Sequence, residues 1–331
     1  MKKILIVFVF LLTACSSNKL DIGLVLYNEA DPFVDVFAEQ IIEKISEHSF
    51  EVYDSENSQV LQNAQLEELI DMGVKLFVVN PVDRLSAFTL IRKLEVTNTP
   101  VIFFNREPLR KDLEEYDKAY YVGAKAEQSG FMQAELVEEL FGSPLNLNEY
   151  DRNGDNIIQL LLFKGEQGHQ DAELRSKFVI ETLEDKGYQV EIIQTVIADW
   201  MRSKAYESMK EIVQDEIFYE LIISNNDAMA VGVIEAMREN EVFKDDNENG
   251  LIDSLDSSWV PIVGVDGIDL AVNEIENGYM YGTVLNDSES MAEAIAELSS
   301  FLLEGRDLSE MSFDITDDYY IWIDYEVFKN N

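Results

Sequence analysis

Two kinds of segment alternate along the chain. Short apolar runs occupy Ile22–Tyr27, Leu76–Asn80, Val101–Asn105, Tyr120–Gly123, Ile157–Lys164, Val190–Ile197, Leu221–Ser224, Val260–Val265 and Tyr281–Leu285. They are apolar throughout rather than at every second position, the mark of parallel strands covered on both faces. Between them lie stretches with apolar residues at helical spacing: Asp31–His48, Asp171–Lys186, Ser203–Gln214, Ala228–Asn240 and Ser288–Glu304. In the first of these, Asp31 is a candidate N-cap and Pro32 suits the first helical position. Phe37, Ile41 and Ile45 then share one face. Strand–helix alternation predicts parallel α/β sheets with right-handed crossovers. The order breaks once, at the polar stretch Leu145–Asn156, and restarts at Ile157. Two doubly wound halves fit this better than one very large sheet.

The first residues follow a different pattern. Lys2 and Lys3 precede an uninterrupted apolar run of nine residues, Ile4–Leu12. The run is too short to span a bilayer but suits the apolar region of a signal peptide. It ends in Leu12-Thr13-Ala14-Cys15, followed by Ser16-Ser17-Asn18. This resembles the lipobox of bacterial lipoproteins, in which the cysteine is lipidated. Residues 1–14 are therefore expected to be a signal peptide, and 15–20 a lipidated tether. The expected product is anchored to a membrane through Cys15 and faces the periplasm or the extracellular side.

Composition narrows the classes. The chain of 331 residues carries 25 Lys and Arg against 65 Asp and Glu, a formal charge of −40. Phosphate binding needs a basic face, so a nucleic-acid partner is excluded. Hydrophobic residues make up 47%, enough for a sizeable core in spite of the charge. The sole cysteine can form neither an intramolecular disulfide nor a thiolate zinc cluster.

Ligands of open α/β sheets sit beyond the carboxyl ends of the strands. Asp31 and Phe33 follow the first strand, and Asn105 ends the strand that begins at Val101. His169, Asp171 and Arg175 follow the strand ending near Phe163. Trp200, Asn226, Asp266 and Asn286 follow the next four. Both halves contribute, which places the site in a cleft between them. Asn, Asp, His and Arg offer donors and acceptors for hydroxyl groups, and Phe33 and Trp200 offer flat apolar faces. No phosphate-binding loop of the Gly-x-x-x-x-Gly-Lys type is present. Singly, Asp31, Asn226 and Asp287 also read as helix N-caps.

Several segments together carry a resemblance. They are Asp31-Pro32-Phe33, Phe103-Phe104-Asn105-Arg106-Glu107-Pro108, Tyr116 to Gly123, Lys164 to Glu173, Asn225-Asn226-Asp227-Ala228-Met229-Ala230, Gly264-Val265-Asp266 and Gly282 to Asp287. In these the chain resembles the periplasmic galactose/glucose-binding proteins, substrate-binding components of ABC importers, over almost its whole length. The resemblance implies the type I periplasmic binding protein fold: two doubly wound parallel-sheet lobes joined by a hinge of three crossings. The lobes would be 21–124 plus 287–322 and 125–286 plus 323–331, with crossings near Ala124, Ser288 and Ile323. Asp324 stands where the family has a proline, which leaves the third crossing less sharply placed.

The family sandwiches a pyranose between two aromatic rings, here Phe33 and Trp200. Residues matching Asp31, Asn105, His169, Asp171, Arg175, Asn226, Asp266 and Asn286 bond its hydroxyls and ring oxygen. Asp31 would face the hydroxyl whose orientation separates glucose from galactose. The implied partners are a monosaccharide and a membrane permease, with a chemoreceptor as well in some bacteria. The expected protein is a monomer and not an enzyme.

Two loops suggest calcium. Asp151, Asn153, Asp155 and Gln159 place oxygens at positions 1, 3, 5 and 9 of an EF-hand-type loop, with the Ile157 carbonyl at 7. Position 6 is Asn156, which tolerates a left-handed turn, and position 12 is Leu162, which cannot coordinate. The resemblance supplies the missing carboxylate from Glu220. The second loop offers Asp245, Asn247, Asn249, the Leu251 carbonyl, Asp253 and Asp256, with Gly250 at the sharp turn. The family gives that loop no support, and an acidic solvated insertion is the competing reading.

Two other functions fit less well. A glycosidase needs two carboxylates across the scissile bond. Asp171, however, stands one helical turn from Arg175, which favours an ionised acceptor over a protonated acid. A sugar-responsive repressor of this fold would need a basic DNA-binding end.

Overall fold

The computed structural model describes residues 20–246, 248, 252 and 254–330. Cys15 and the segment before it, and Asn247, Asn249, Leu251 and Asp253 of the second loop, lie outside the described residues.

The elements in chain order are β1 (Ile22–Leu26), α1 (Pro32–Lys44), β2 (Phe50–Asp54), α2 (Gln59–Met72), β3 (Leu76–Val79), α3 (Ala87–Thr97), β4 (Val101–Phe104), α4 (Arg110–Leu113), β5 (Ala119–Gly123) and α5 (Ala126–Phe141). There follow β6 (Ile158–Lys164), α6 (Gln170–Asp185), β7 (Val190–Ile197), α7 (Arg202–Gln214), β8 (Leu221–Ser224), α8 (Asp227–Glu239), β9 (Ile262–Asp266) and α9 (Asp269–Glu276). The chain ends with β10 (Gly282–Leu285), α10 (Ser288–Glu304), β11 (Tyr320–Trp322) and β12 (Glu326–Lys329).

Two six-stranded sheets form, in the orders β11-β5-β4-β3-β1-β2 and β12-β10-β9-β8-β6-β7. All neighbours are parallel except β12, which runs antiparallel to β10. The expected pair of doubly wound parallel sheets is therefore present.

Each sheet is buried on both faces, which explains its continuous apolar strands. In the first, Leu24, Leu26, Ile102 and Phe104 pack on Phe37 and Ile41 of α1 and Ile295 and Leu298 of α10. Their alternates Val25, Val101 and Phe103 pack on Leu66 and Leu69 of α2 and Leu90 and Ile91 of α3. The second sheet repeats the plan. Leu160, Leu162 and Ile223 face Val137 and Phe141 of α5 and Val179 of α6, whereas Leu161 and Phe163 face α7 and α8.

The chain passes between the sheets three times, after Gly123, after Leu285 and after Trp322. The first and third passages are tied together, with the Ile323 N–H donating to the Gly123 carbonyl at 2.9 Å. The carboxyl ends of both sheets point into the cleft between the lobes. Polar contacts already cross that cleft: Arg106 to Glu166 at 3.4 Å, and Gln170 Nε2 to Glu107 Oε2 at 2.6 Å.

Candidate functional site

The candidate residues are set by helix caps and by unusual backbone. Asp31 caps α1, its Oδ1 accepting from the Phe33 N–H at 3.0 Å and the Val34 N–H at 3.5 Å. Asn226 caps α8 through the Met229 N–H at 3.0 Å, and His169 caps α6, its Nδ1 accepting from the Asp171 N–H at 3.2 Å. Asp31 and Asn226 are thus helix caps that also lie at the cleft. One side chain closes the first helical turn and also lines the cleft.

Three other site residues have positive φ: Asn105 at 60°, Trp200 at 66° and Asp266 at 122°. Asn accepts such a conformation readily. For Trp and Asp it costs about 1–3 kcal/mol each and persists only where neighbours enforce it. For Asp266 the enforcement comes from fully buried Asp227, whose Oδ2 accepts from the Gly267 N–H at 2.6 Å and the Ile268 N–H at 3.3 Å. Thr283 holds the other oxygen of Asp227 at 2.7 Å. Trp200 is fixed by Gly165, where a Cβ would lie 2.4 Å from the indole. The edge of His169 also meets it, ring centres 5.2 Å apart, and Asn226 Nδ2 donates to its carbonyl at 3.3 Å.

These constraints bring Asp31, Phe33, Asn105, His169, Asp171, Arg175, Trp200, Asn226 and Asp266 to the wall of one cavity. Asn286 is buried beside the chain crossing but is not in that wall, and its Oδ1 has no hydrogen-bond partner in the protein. Two further residues line the cavity that the sequence did not single out as site residues, Tyr27 and Arg106. The only signal was their position: Tyr27 closes the first apolar run, and Arg106 follows Asn105.

Arg175 is the electrostatic centre. Its guanidinium lies 3.6 Å from Asp171 and 3.6 Å from Asp266, and donates to the Asn225 carbonyl at 2.6 Å and to Tyr325 Oη at 3.2 Å. Its Nε has no protein partner. Burial works against the Arg175 charge, but Tyr325, Asp266 and Asp171 outweigh it and hold the group above its ordinary pKa. Burial pushes Asp171 and Asp266 upward, with Arg175 opposing. Burial, with Arg106, Arg175 and Arg84 nearby, holds His169 well below its usual value, so the imidazole is neutral. Because Nδ1 accepts a backbone N–H, the ring proton sits on Nε2 as a donor. The wall therefore presents carboxylate and amide acceptors, fixed N–H donors and two aromatic faces. That set suits a neutral, hydroxyl-rich ring.

The first candidate calcium loop closes on its own hydrogen bonds. Asp151 accepts from the N–H groups of Gly154 and Asn156, and Asp155 from that of Ile157. Asn153 Nδ2 and Gln159 Nε2 both reach Asp155 Oδ2 at 3.0 Å. Fully buried Glu220 accepts from the Arg152 N–H at 2.6 Å, and burial raises its pKa. Among the described residues, no three carboxylate, His or Cys side chains are grouped closely enough to hold a metal by themselves. A cation here would need amide and carbonyl oxygens as well. Asn153 Oδ1 accepts from the Asp155 N–H at 2.9 Å, whereas turning the Gln159 amide would exchange nitrogen for oxygen and give the oxygen donor chemistry that calcium takes. Of the second loop, Asp245 and Asp256 are described. Asp256 is buried, and its Oδ1 accepts from the Asp246 N–H at 2.8 Å.

Comparison with known proteins agrees with this architecture. Residues 22–307 match the model of the periplasmic binding protein domain. The chain is 35% identical over 294 residues to the D-galactose/methyl-galactoside binding periplasmic protein MglB of Haemophilus influenzae, covering 87% of this chain and 83% of that one. It is 23% identical to the ribose import binding protein RbsB of Bacillus subtilis, covering 92% of each. Among solved structures, an ABC transporter solute binding protein from Bacillus halodurans with bound myo-inositol superposes with a TM-score of 0.76 at 22% identity, covering 95% and 96% of the two chains. One from Actinobacillus succinogenes with bound D-allose gives 0.76 at 19% identity, covering 94% and 98%.

Proposed function

Since the chain belongs to the periplasmic binding protein family, we propose that it captures a hexose pyranose, D-galactose or D-glucose, and delivers it to an ABC importer. Proteins of this family serve transport by binding substrate rather than by catalysis. The observation that carries the reading is the cavity wall: Phe33 from one lobe and Trp200 from the other, with Asp31, Asn105, His169, Asp171, Arg175, Asn226 and Asp266 around them. The aromatic faces cover the C–H faces of the ring, and the polar groups meet its rim of hydroxyls. Asp31 takes the hydroxyl at carbon 4. Closure of the lobes makes the remaining contacts, so ligand shifts the population toward the closed form.

Titration of tryptophan fluorescence with galactose, glucose and ribose tests this. Either hexose is expected to change the Trp200 signal with saturation, and Trp200→Ala to weaken binding by on the order of 100-fold, through loss of the buried stacking surface. A response to ribose alone, or to no sugar, overturns the assignment.

We further infer that Asp151, Asn153, Asp155, the Ile157 carbonyl, Gln159 and Glu220 hold a structural calcium. The cation would offset the buried Glu220 charge and clamp the loop onto the strand that begins beside it. Excess calcium over chelator is expected to raise the melting temperature by several degrees, as any ligand of the native state does. Glu220→Gln is expected to remove most of that gain. Calorimetric titration counts the cations, and loss of a second event in Asp245→Ala assigns it to the Asp245–Asp256 loop. An unchanged melting curve in chelator rules out the first site.

A further inference from the structure

Asp31 has little acceptor capacity left for a ligand. A carboxylate offers about four lone-pair positions. Oδ1 takes the N–H groups of Phe33 and Val34, and Oδ2 takes the Tyr27 hydroxyl. Tyr27 is itself held. It is 4% exposed, and the Arg106 guanidinium lies over its ring, 3.8 Å from the centroid. Arg106 in turn donates to the Val82 carbonyl at 2.5 Å and reaches Glu166 of the opposite lobe at 3.4 Å. The line Glu166–Arg106–Tyr27–Asp31 therefore runs from one lobe, across the cleft, to the carboxylate that meets the ligand.

We infer that Tyr27 is a positioning and specificity residue: its hydroxyl locks the Asp31 carboxylate so that one lone pair of Oδ2 remains, directed at a single ligand hydroxyl. Burial and the nearby Asp31 charge keep the phenol protonated, so it can only donate to Asp31. Locked by these donors, Asp31 accepts from one ligand hydroxyl and disfavours a ligand lacking a donor there. The inference rests on the hexose reading above, in which that hydroxyl is the one at carbon 4.

The test uses galactose, glucose and 4-deoxy-D-xylo-hexose, the single sugar obtained by removing the 4-hydroxyl from either. Calorimetry of the unaltered protein is expected to show a preference of about tenfold or more for both hexoses over the deoxy sugar. In Tyr27→Phe that preference is expected to shrink by about fivefold, through weaker hexose binding, while deoxy-sugar affinity stays within about twofold. Arg106→Gln, which keeps the hydroxyl but frees the ring, is expected to act in the same direction to a smaller degree, and provides the measurement if Tyr27→Phe does not fold. A merely structural Tyr27 would weaken all three sugars equally. That result, or an unchanged preference, overturns the inference. Unaltered protein that binds neither hexose overturns the hexose reading instead.

Discussion

Arg175→Ala is expected to abolish measurable hexose binding and to lower the melting temperature by on the order of 10 °C. Arg175 is buried with Asp171 and Asp266, each 3.6 Å from the guanidinium, and no other Lys or Arg forms an ion pair with either among the described residues. Removing one member of such a cluster strands the others, at a cost of about 3–5 kcal/mol. The binding loss has a separate cause. Arg175 Nε has no partner within the protein, and the same guanidinium holds the two carboxylates at the cavity wall. Arg175→Lys is expected to recover part of the stability and little of the binding. A single ammonium cannot reach the Asn225 carbonyl, Tyr325 and both carboxylates at once. Thermal denaturation beside sugar titration checks both effects, and a melting temperature within about 2 °C of the unaltered protein's refutes the stranded-charge argument.

Asp227 is expected to contribute about 4 kcal/mol of stability to the ligand-free protein that is lost as the pH rises from about 4 to about 7. Desolvation pushes the Asp227 carboxyl from its ordinary 3.8 up to about 7, against its hydrogen bonds from Thr283, Gly267 and Ile268. Between those values the folded protein keeps a proton that the unfolded chain releases, so raising the pH favours unfolding. Asp171 and Asp266, raised by burial in the same sense, add to the trend. His169 opposes it within the window, because below about 6.5 the unfolded chain takes up a proton that the buried imidazole does not, and Asp21 opposes it at lower pH. Hydrogen bonds from Lys75 and Ser49 hold that group at about 2, and its contribution is lost on acidification below 3.8. A pH series of melting curves at constant ionic strength, with calcium chelated, measures the slope. Asp227→Asn is expected to flatten it. A difference between the unaltered protein and Asp227→Asn that does not change across the window contradicts the role given to Asp227.

Legibility in the sequence followed burial. β1, β4 and β8 are covered on both faces, and their unbroken apolar runs could be read directly. β2, the half-exposed edge strand Phe50–Asp54, carries no such run, and β11 has only three residues. Both escaped notice, as did β12, whose antiparallel pairing with β10 is fixed by a partner far away in the chain. α5 (Ala126–Phe141) is not among the helices the pattern predicts, and it contains Gly130. That glycine is a helix–helix contact: a Cβ there would come within 2.9 Å of the Phe178 side chain on α6.

The candidate residues were legible where a polar residue stands at or shortly after the carboxyl end of a strand, as Asp31, Asn226 and Asp266 do. What stayed hidden was support arriving from elsewhere. Tyr325 meets Arg175 across 150 positions, and Arg106 meets Glu166 across 60. Nothing local in the sequence announces either pair.

The triple passage between the sheets also bears on how the protein can be made. Neither lobe is a continuous stretch of chain. The first sheet lacks its edge strand β11 until Trp322, and one face lacks its cover until α10 has emerged. The second sheet lacks β12 until Lys329. Domains usually fold in order as the ribosome releases them, but here both lobes wait for elements within residues 288–329. Neither lobe can therefore complete its sheet until the elements it takes from residues 288–329 have emerged.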